Sequence, residues 1–195
     1  YKRQDKVNSQ YQTLDASFHP IIRDDLCCYK SSSKVIDLAK KYSSDLHVLH
    51  LTTEKEIKLF ENIDLKNKKI TCEVCVHHLW FDESDYEKLG NFIVCNPAIK
   101  KVSDRNALRK ALKDGFIDYV ATDHAPHSYD DKKLPYGKAP AGIPLIEHSF
   151  HMMIELHKQG YYSLEEVISY MSHKVADRFS ICLLYTSDAA DEMDG

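Results

Sequence analysis

The segment Asp123-His124-Ala125-Pro126-His127 places a carboxylate and two imidazoles within five residues. A carboxylate at a strand end can bind a divalent cation through one oxygen and keep the other as a base. Pro126 stiffens the turn and helps to aim His127 into the same space. A helix-capping aspartate beside two surface histidines is the plain alternative. His50 closes the run Leu46-His47-Val48-Leu49-His50 and is a second candidate metal ligand. His47 and His50 are three apart, so a regular strand turns them to opposite faces and they cannot share an ion. His77 and His78, read as the end of a strand, oppose each other in the same way. Cys72-x-x-Cys75 has the spacing of half a zinc ribbon, but no second pair follows at zinc-site distance. Both cysteines therefore read as small buried hydrophobes.

Two further segments have groups suited to holding a substrate. Asn96, before Pro97, presents amide donors and an acceptor that match a carbonyl or imide edge; a simple turn is the equal alternative. Ala141 and Gly142, in the loop that starts at Lys138, precede a helix where free backbone N–H groups could hold an anion. Taken alone, that loop reads as a linker.

These residues need elements to position them. Apolar periodicity marks a helix over 24–42, and a strand follows at 46–51. Thr53-x-x-Glu56 is a capping box that starts a helix ending near Asn62. A second strand spans 69–76, and a brief one is expected at 93–95. Ser103 caps a helix through 114 that Gly115 closes. A third clear strand spans 116–121, a helix covers 143–158, and Ser163-x-x-Glu166 caps another through about Met171. Strands alternating with helices at this spacing predict parallel βαβ units. In such folds chemistry collects at the C-terminal ends of the strands, where His50, His77, His78, Asp123 and His124 all fall.

The chain has 195 residues, 43% hydrophobic and 29% charged, with a formal net charge of −4. That composition can bury a core and excludes wholesale disorder. The acidic balance argues against nucleic acid as a partner. No stretch approaches the length of a membrane span, and the N-terminal residues are no signal peptide. Six cysteines without framework spacing fit a reducing cytoplasm. Residues 1–17 read as an entry segment whose upstream partner is absent. Residues 182–195 break the amphipathic pattern and resemble a translated sequencing adapter, so the expected domain is 1–181.

Together these motifs closely resemble dihydroorotase of the long-chain class, in the amidohydrolase superfamily. The matching stretches are Ile70-Thr71-Cys72-Glu73-Val74-Cys75-Val76-His77-His78-Leu79, Asn96-Pro97-Ala98-Ile99-Lys100 and the run from Asp114 to His127. Ala139-Pro140-Ala141-Gly142 follows at the family's distance. The resemblance implies an α/β fold, the second half only of a (β/α)₈ TIM-like barrel. It implies one or two zinc ions, with His50 as a ligand and Asp123 as both ligand and general acid/base. Asn96, His127 and the Ala141-Gly142 backbone would bind substrate, while His77 and His78 receive no metal role. The implied reaction interconverts dihydroorotate and N-carbamoyl-L-aspartate in pyrimidine biosynthesis.

The family's H-x-H zinc pair, its bridging carboxylated lysine or aspartate and a further metal histidine do not occur in this chain and are expected upstream. Ala98 and Lys100 stand where members commonly have proline and arginine. The family's small C-terminal β domain is missing as well. An isolated half barrel with an open strand edge is expected to fold weakly, bind zinc weakly and lack activity. Two other readings remain. One is a non-catalytic scaffold subunit for a partner such as aspartate transcarbamoylase; the other is an allantoinase- or hydantoinase-type cyclic amidase. A homo-oligomeric parent is compatible with each.

Overall fold

The computed structural model describes residues 14–181; the expected tail at 182–195 and most of the entry segment lie outside them. Three parallel strands form the sheet in the order β1 (Leu46–Val48), β2 (Ile70–Cys75) and β3 (Tyr119–Ala121). Leu46 pairs with Ile70 and Val48 with Cys72, while Glu73 pairs with Tyr119 and Cys75 with Ala121. Beyond β3, a bridge between His124 and Ile143 continues the parallel pairing by one step. Along β2 the side chains alternate, so Cys72 and Val74 share one face and Thr71, Glu73 and Cys75 the other. Both faces are covered, which is why β2 reads as a nearly continuous apolar run. Cys72 and Val74 belong to a core with Leu108, Ala111, Leu112 and Ile117.

The first long helix, α1 (Asp25–Tyr42), agrees with its periodicity to within a residue. Asp24 caps it by accepting from the Cys27 amide at 3.0 Å. Downstream of β1, α2 (Glu54–Ile57) begins at the capping threonine as expected but lasts only one turn. The tighter bonds from Leu59 to Glu56 and from Phe60 to Ile57 then close the segment. Glu56 is buried and accepts from Ser32 (2.6 Å) and from the Thr53 hydroxyl (2.8 Å), which fastens α2 to α1.

Between β2 and β3 come α3 (Val76–Trp80), α4 (Asp85–Leu89) and α5 (Val102–Lys113). Two expectations fail here. No strand forms at 93–95, because Ile93 ends a 3₁₀ turn and the Val94 carbonyl accepts from the Gly142 amide (2.8 Å) and Lys132 Nζ (3.3 Å). Ser103 does not cap α5, since the helix starts one residue earlier; Asp104 reaches across instead and accepts from the Glu54 amide at 2.9 Å.

After β3 come α6 (Tyr129–Lys132), α7 (Ser149–Lys158) and α8 (Leu164–Ile168), the last with a complete capping box between Ser163 and Glu166. The helix expected from 143 starts at Ser149, because Ile143 is spent on the bridge to His124. Past α8 the chain continues through a π turn into α9 (Lys174–Phe179), well beyond the expected end near 171. Among the described residues β1 pairs only with β2, and no helix is long and apolar enough to cross a membrane.

His19 joins the N-terminal turn to this frame. Its Nε2–H donates to the Cys95 carbonyl (2.8 Å), and its Nδ1 accepts from the Tyr136 hydroxyl (2.9 Å), so the ring is neutral. Burial pushes its pKa down to about 4, with Arg23 and Lys100 opposing protonation further. The unfolded chain takes up this proton near pH 6.5 and the folded chain only near 4. Stability is therefore complete above pH 6.5 and lost as pH falls between those values, by roughly 3 kcal/mol at the limit. Urea unfolding at pH 7 and pH 4.5 is expected to show this loss, and His19→Gln should reduce the slope by the His19 share, the remainder belonging to the other buried histidines, His77 and His78. Equal pH slopes for the two proteins would refute the assignment.

Candidate functional site

The ends of β1 and β3 share an uncommon backbone feature. Two residues past β1, His50 has φ +42°, and two residues past β3, Asp123 has φ +45°. The other non-glycine residues described with positive φ are Ser43 and Ser180, which terminate helices. Left-handed backbone at a non-glycine residue costs free energy and persists where surrounding contacts enforce it. For His50 those contacts include its own carbonyl, which accepts from the Thr52 hydroxyl (2.7 Å), and the following amide of Leu51, which donates to Glu73 O (2.7 Å). Both turns lie at the C-terminal edge of the parallel sheet.

At the end of β2 the expectation of opposed histidines is corrected. The strand stops at Cys75 and α3 begins at Val76, so successive side chains turn by about 100° instead of 180°. His77 and His78 consequently lie together, with ring centroids 4.2 Å apart. Burial pushes His77 down to about 3, helped by the nearby His50, and drives His78 well below its ordinary value. The Cys75 thiol is raised, first by burial and then by the Asp123 carboxylate. His50 is thus electrostatically linked to His77, and Asp123 to Cys75 and Cys95, around the end of the central strand.

His47, within β1, lines the same cleft as His50 but is satisfied internally. It sits within hydrogen-bonding distance of Thr71 (2.9 Å), Glu73 (3.1 Å) and Tyr119 (2.7 Å) and stacks on the Tyr119 ring. The strand alternation expected to separate the two does not reach His50, which lies past β1; the ring nitrogens of His47 are instead engaged by Thr71, Glu73 and Tyr119.

The candidate substrate-binding residues fall into two groups. Asn96 and His50 line one cleft of about 620 Å³ between α1 and β1. On the Asp123 side, His127 Nε2 donates to the Ala141 carbonyl at 3.1 Å. Gly142 packs so closely here that a Cβ would lie 2.6 Å from Ala125 O and 2.8 Å from His127 Nε2, at φ +152°. Only glycine fits. Asn96, Asp123 and His127 are exposed and His50 is half-buried, so solvent reaches all four. His124 Nδ1 accepts from the Ile146 amide at 3.0 Å, a role in holding the loop.

Lys132 escaped the sequence reading. Its buried ammonium donates to the carbonyls of Val94 (3.3 Å), Pro140 (3.0 Å) and Gly142 (2.9 Å), pinning the glycine loop to the 94–95 segment. A lysine within a Lys- and Gly-rich loop gives no signal for that. Lys100, where arginine was expected, is buried and donates to Ala98 O at 2.8 Å.

One imidazole and one carboxylate, each on a strand-end turn of constrained backbone, suit zinc in donor type. They would supply two of its ligands.

No family model matches the chain. Dihydroorotase from Bacillus subtilis is 34% identical over 157 residues, covering 79% of this chain and 37% of that protein. Dihydroorotase from Ligilactobacillus salivarius is 36% identical over 145 residues, covering 74% of this chain and 34% of its own length. The chain thus spans about a third of the curated relatives it matches. Among solved structures, L-hydantoinase (dihydropyrimidinase) from Arthrobacter aurescens superposes with a TM-score of 0.86 at 22% identity, over 93% of this chain and 41% of that one. The chain is therefore a partial amidohydrolase barrel of the dihydroorotase family.

Proposed function

We propose that this chain supplies part of the active site of a zinc-dependent cyclic amidohydrolase that interconverts dihydroorotate and N-carbamoyl-L-aspartate, in cytoplasmic pyrimidine synthesis. The observation that carries the reading is the matched pair of left-handed turns presenting His50 and Asp123 at the same edge of the sheet. His50 and Asp123 would hold zinc together with ligands from the two thirds of the relatives' length that the chain does not span. When bound, the ion would polarise the scissile carbonyl and lower the pKa of water.

The chain's own residues would do the rest. Asp123, exposed at the site, would accept the proton of the attacking water and return it to the departing ring nitrogen. His127 has its Nε2–H committed to Ala141, which leaves Nδ1 as an acceptor for a ring N–H. Asn96, on the cleft beside His50, would meet the imide edge with its amide. Fixing the ring between these groups supplies proximity and orientation.

The 34–36% identity with curated dihydroorotases favours dihydroorotate as the substrate. Turnover of dihydroorotate, hydantoin and allantoin by a full-length protein carrying these residues tests this. Dihydroorotate is expected to have the highest kcat/KM by at least about tenfold, or some 1.4 kcal/mol of transition-state discrimination. Preferential hydantoin turnover would move the protein to the hydantoinase branch. Absence of any turnover would favour the scaffold.

A further inference from the structure

We propose that Cys75, His77 and His78 form a second metal site, specific for a thiophilic divalent cation such as Zn²⁺, at the buried end of β2.

Geometry carries it. One ligand atom from each residue lies within 4.8 Å of the others, and all three residues are buried. Bond lengths of about 2.0–2.1 Å to nitrogen and 2.3 Å to sulfur put tetrahedral neighbours roughly 3.3–3.6 Å apart. Small side-chain rotations would close that difference. The strand-to-helix switch at Val76 is what brings the donors together, since a continued strand would have separated the two imidazoles.

The ring nitrogens are the second observation. Both nitrogens of His77, which is 1% exposed, are buried without a hydrogen-bond partner, as is Nδ1 of His78. Unsatisfied buried polar atoms are costly, and three in adjacent rings call for an explanation. His78 already shows the bonding of a ligand, because its Nε2–H donates to the Pro97 carbonyl at 3.0 Å and fixes Nδ1 as the free lone pair. A cation bound by Cys75 Sγ, His78 Nδ1 and one nitrogen of His77 gives a partner to two of these three atoms. Binding replaces the thiol proton with a metal–sulfur bond and releases that proton to solvent, and Asp123 is the carboxylate that acts most on Cys75. One thiolate and two neutral imidazoles form a soft-to-borderline donor set, which selects zinc over magnesium or calcium.

The site is distinct from the one proposed for hydrolysis, whose ligands on this chain are a nitrogen and an oxygen without sulfur. Cobalt(II) titration of the 195-residue chain separates the two, because only a thiolate gives a sulfur-to-cobalt charge-transfer band. The expected result is such a band with tetrahedral ligand-field absorption, erased by added Zn²⁺. Cys75→Ser should remove the band, and His77→Gln or His78→Gln should weaken cobalt binding about tenfold or more. Cys95→Ser, His50→Ala and Asp123→Asn should keep it. A band that survives Cys75→Ser, disappears with Cys95→Ser or His50→Ala, or never appears in the parent chain overturns the proposal. Far-UV circular dichroism verifies that each variant folds. If the serine variant does not fold, the two histidine variants decide: unchanged cobalt affinity in both refutes the site.

Discussion

Asp123→Asn in a full-length protein is expected to lower kcat for dihydroorotate by at least about 10²–10⁴-fold, the range contributed by a positioned general acid/base. The substitution keeps the size and one oxygen of the side chain, but the amide cannot take a proton from water or return it to nitrogen. Asparagine is also the least disruptive probe for this position. Asp123 has φ +45°, and asparagine tolerates left-handed backbone as well as aspartate does. The turn, the His124–Ile143 bridge and the His127–Ala141 bond should therefore survive. Thermal unfolding should shift little, so a fall in rate reports chemistry. Much of the bound zinc should remain, since one carboxamide oxygen can still ligate. Steady-state kinetics with metal analysis on the same preparation check both points. A variant with near-normal kcat would remove Asp123 from proton transfer and leave it at most a metal ligand.

Asp118→Ala is expected to cost about 3–5 kcal/mol of stability, the largest single-residue loss outside the site. Asp118 and Lys68 form an ion pair of 2.6 Å with side chains only 4% and 2% exposed. The second carboxylate oxygen of Asp118 accepts from the Cys72 amide at 2.8 Å, and Lys68 Nζ also donates to Gly115 O at 3.0 Å. The pair therefore joins the starts of β2 and β3 and the end of α5. Alanine leaves a buried ammonium without its counter-charge and an amide without its acceptor. Asp118→Asn should cost less, because its amide oxygen can still serve Cys72. Adding Lys68→Met to Asp118→Ala should recover part of the loss by removing the stranded charge. Urea unfolding of the four proteins measures this; a loss below about 1 kcal/mol for Asp118→Ala would show that water reaches Lys68 and the pair is not desolvated.

The candidate site was legible where chemistry depends on local pattern. Asp123 and His50 lie beyond strands that alternate and end within short range, so their position at one edge followed from parallel βαβ logic alone. The contact of His127 with Ala141 and Gly142 needed the loop's return path, for which the Gly142 position was the one local clue. His77 and His78 were misjudged because an apolar run of strand formers does not announce that the strand becomes a helix at Val76. The segment at 93–95 failed for a related reason. Its composition suits a strand, but its carbonyl at Val94 is claimed by Gly142 and Lys132 from a loop some forty residues later. Strong caps and periodicity placed α1 almost to the residue and the start of α8 at its capping box, while the end of α8 was missed.

By itself the sequence determined the alternation of strands and helices, the strong helix caps and the side chains available at the strand ends, because hydrophobic period and capping act between residues a few positions apart. Tertiary structure alone decided which side chains meet. It set the joining of Cys75, His77 and His78, the three-carbonyl clasp of Lys132 and the burial of Lys68 against Asp118. These depend on how distant segments pack, and desolvation, which makes such contacts strong or costly, exists only once the chain has closed around them.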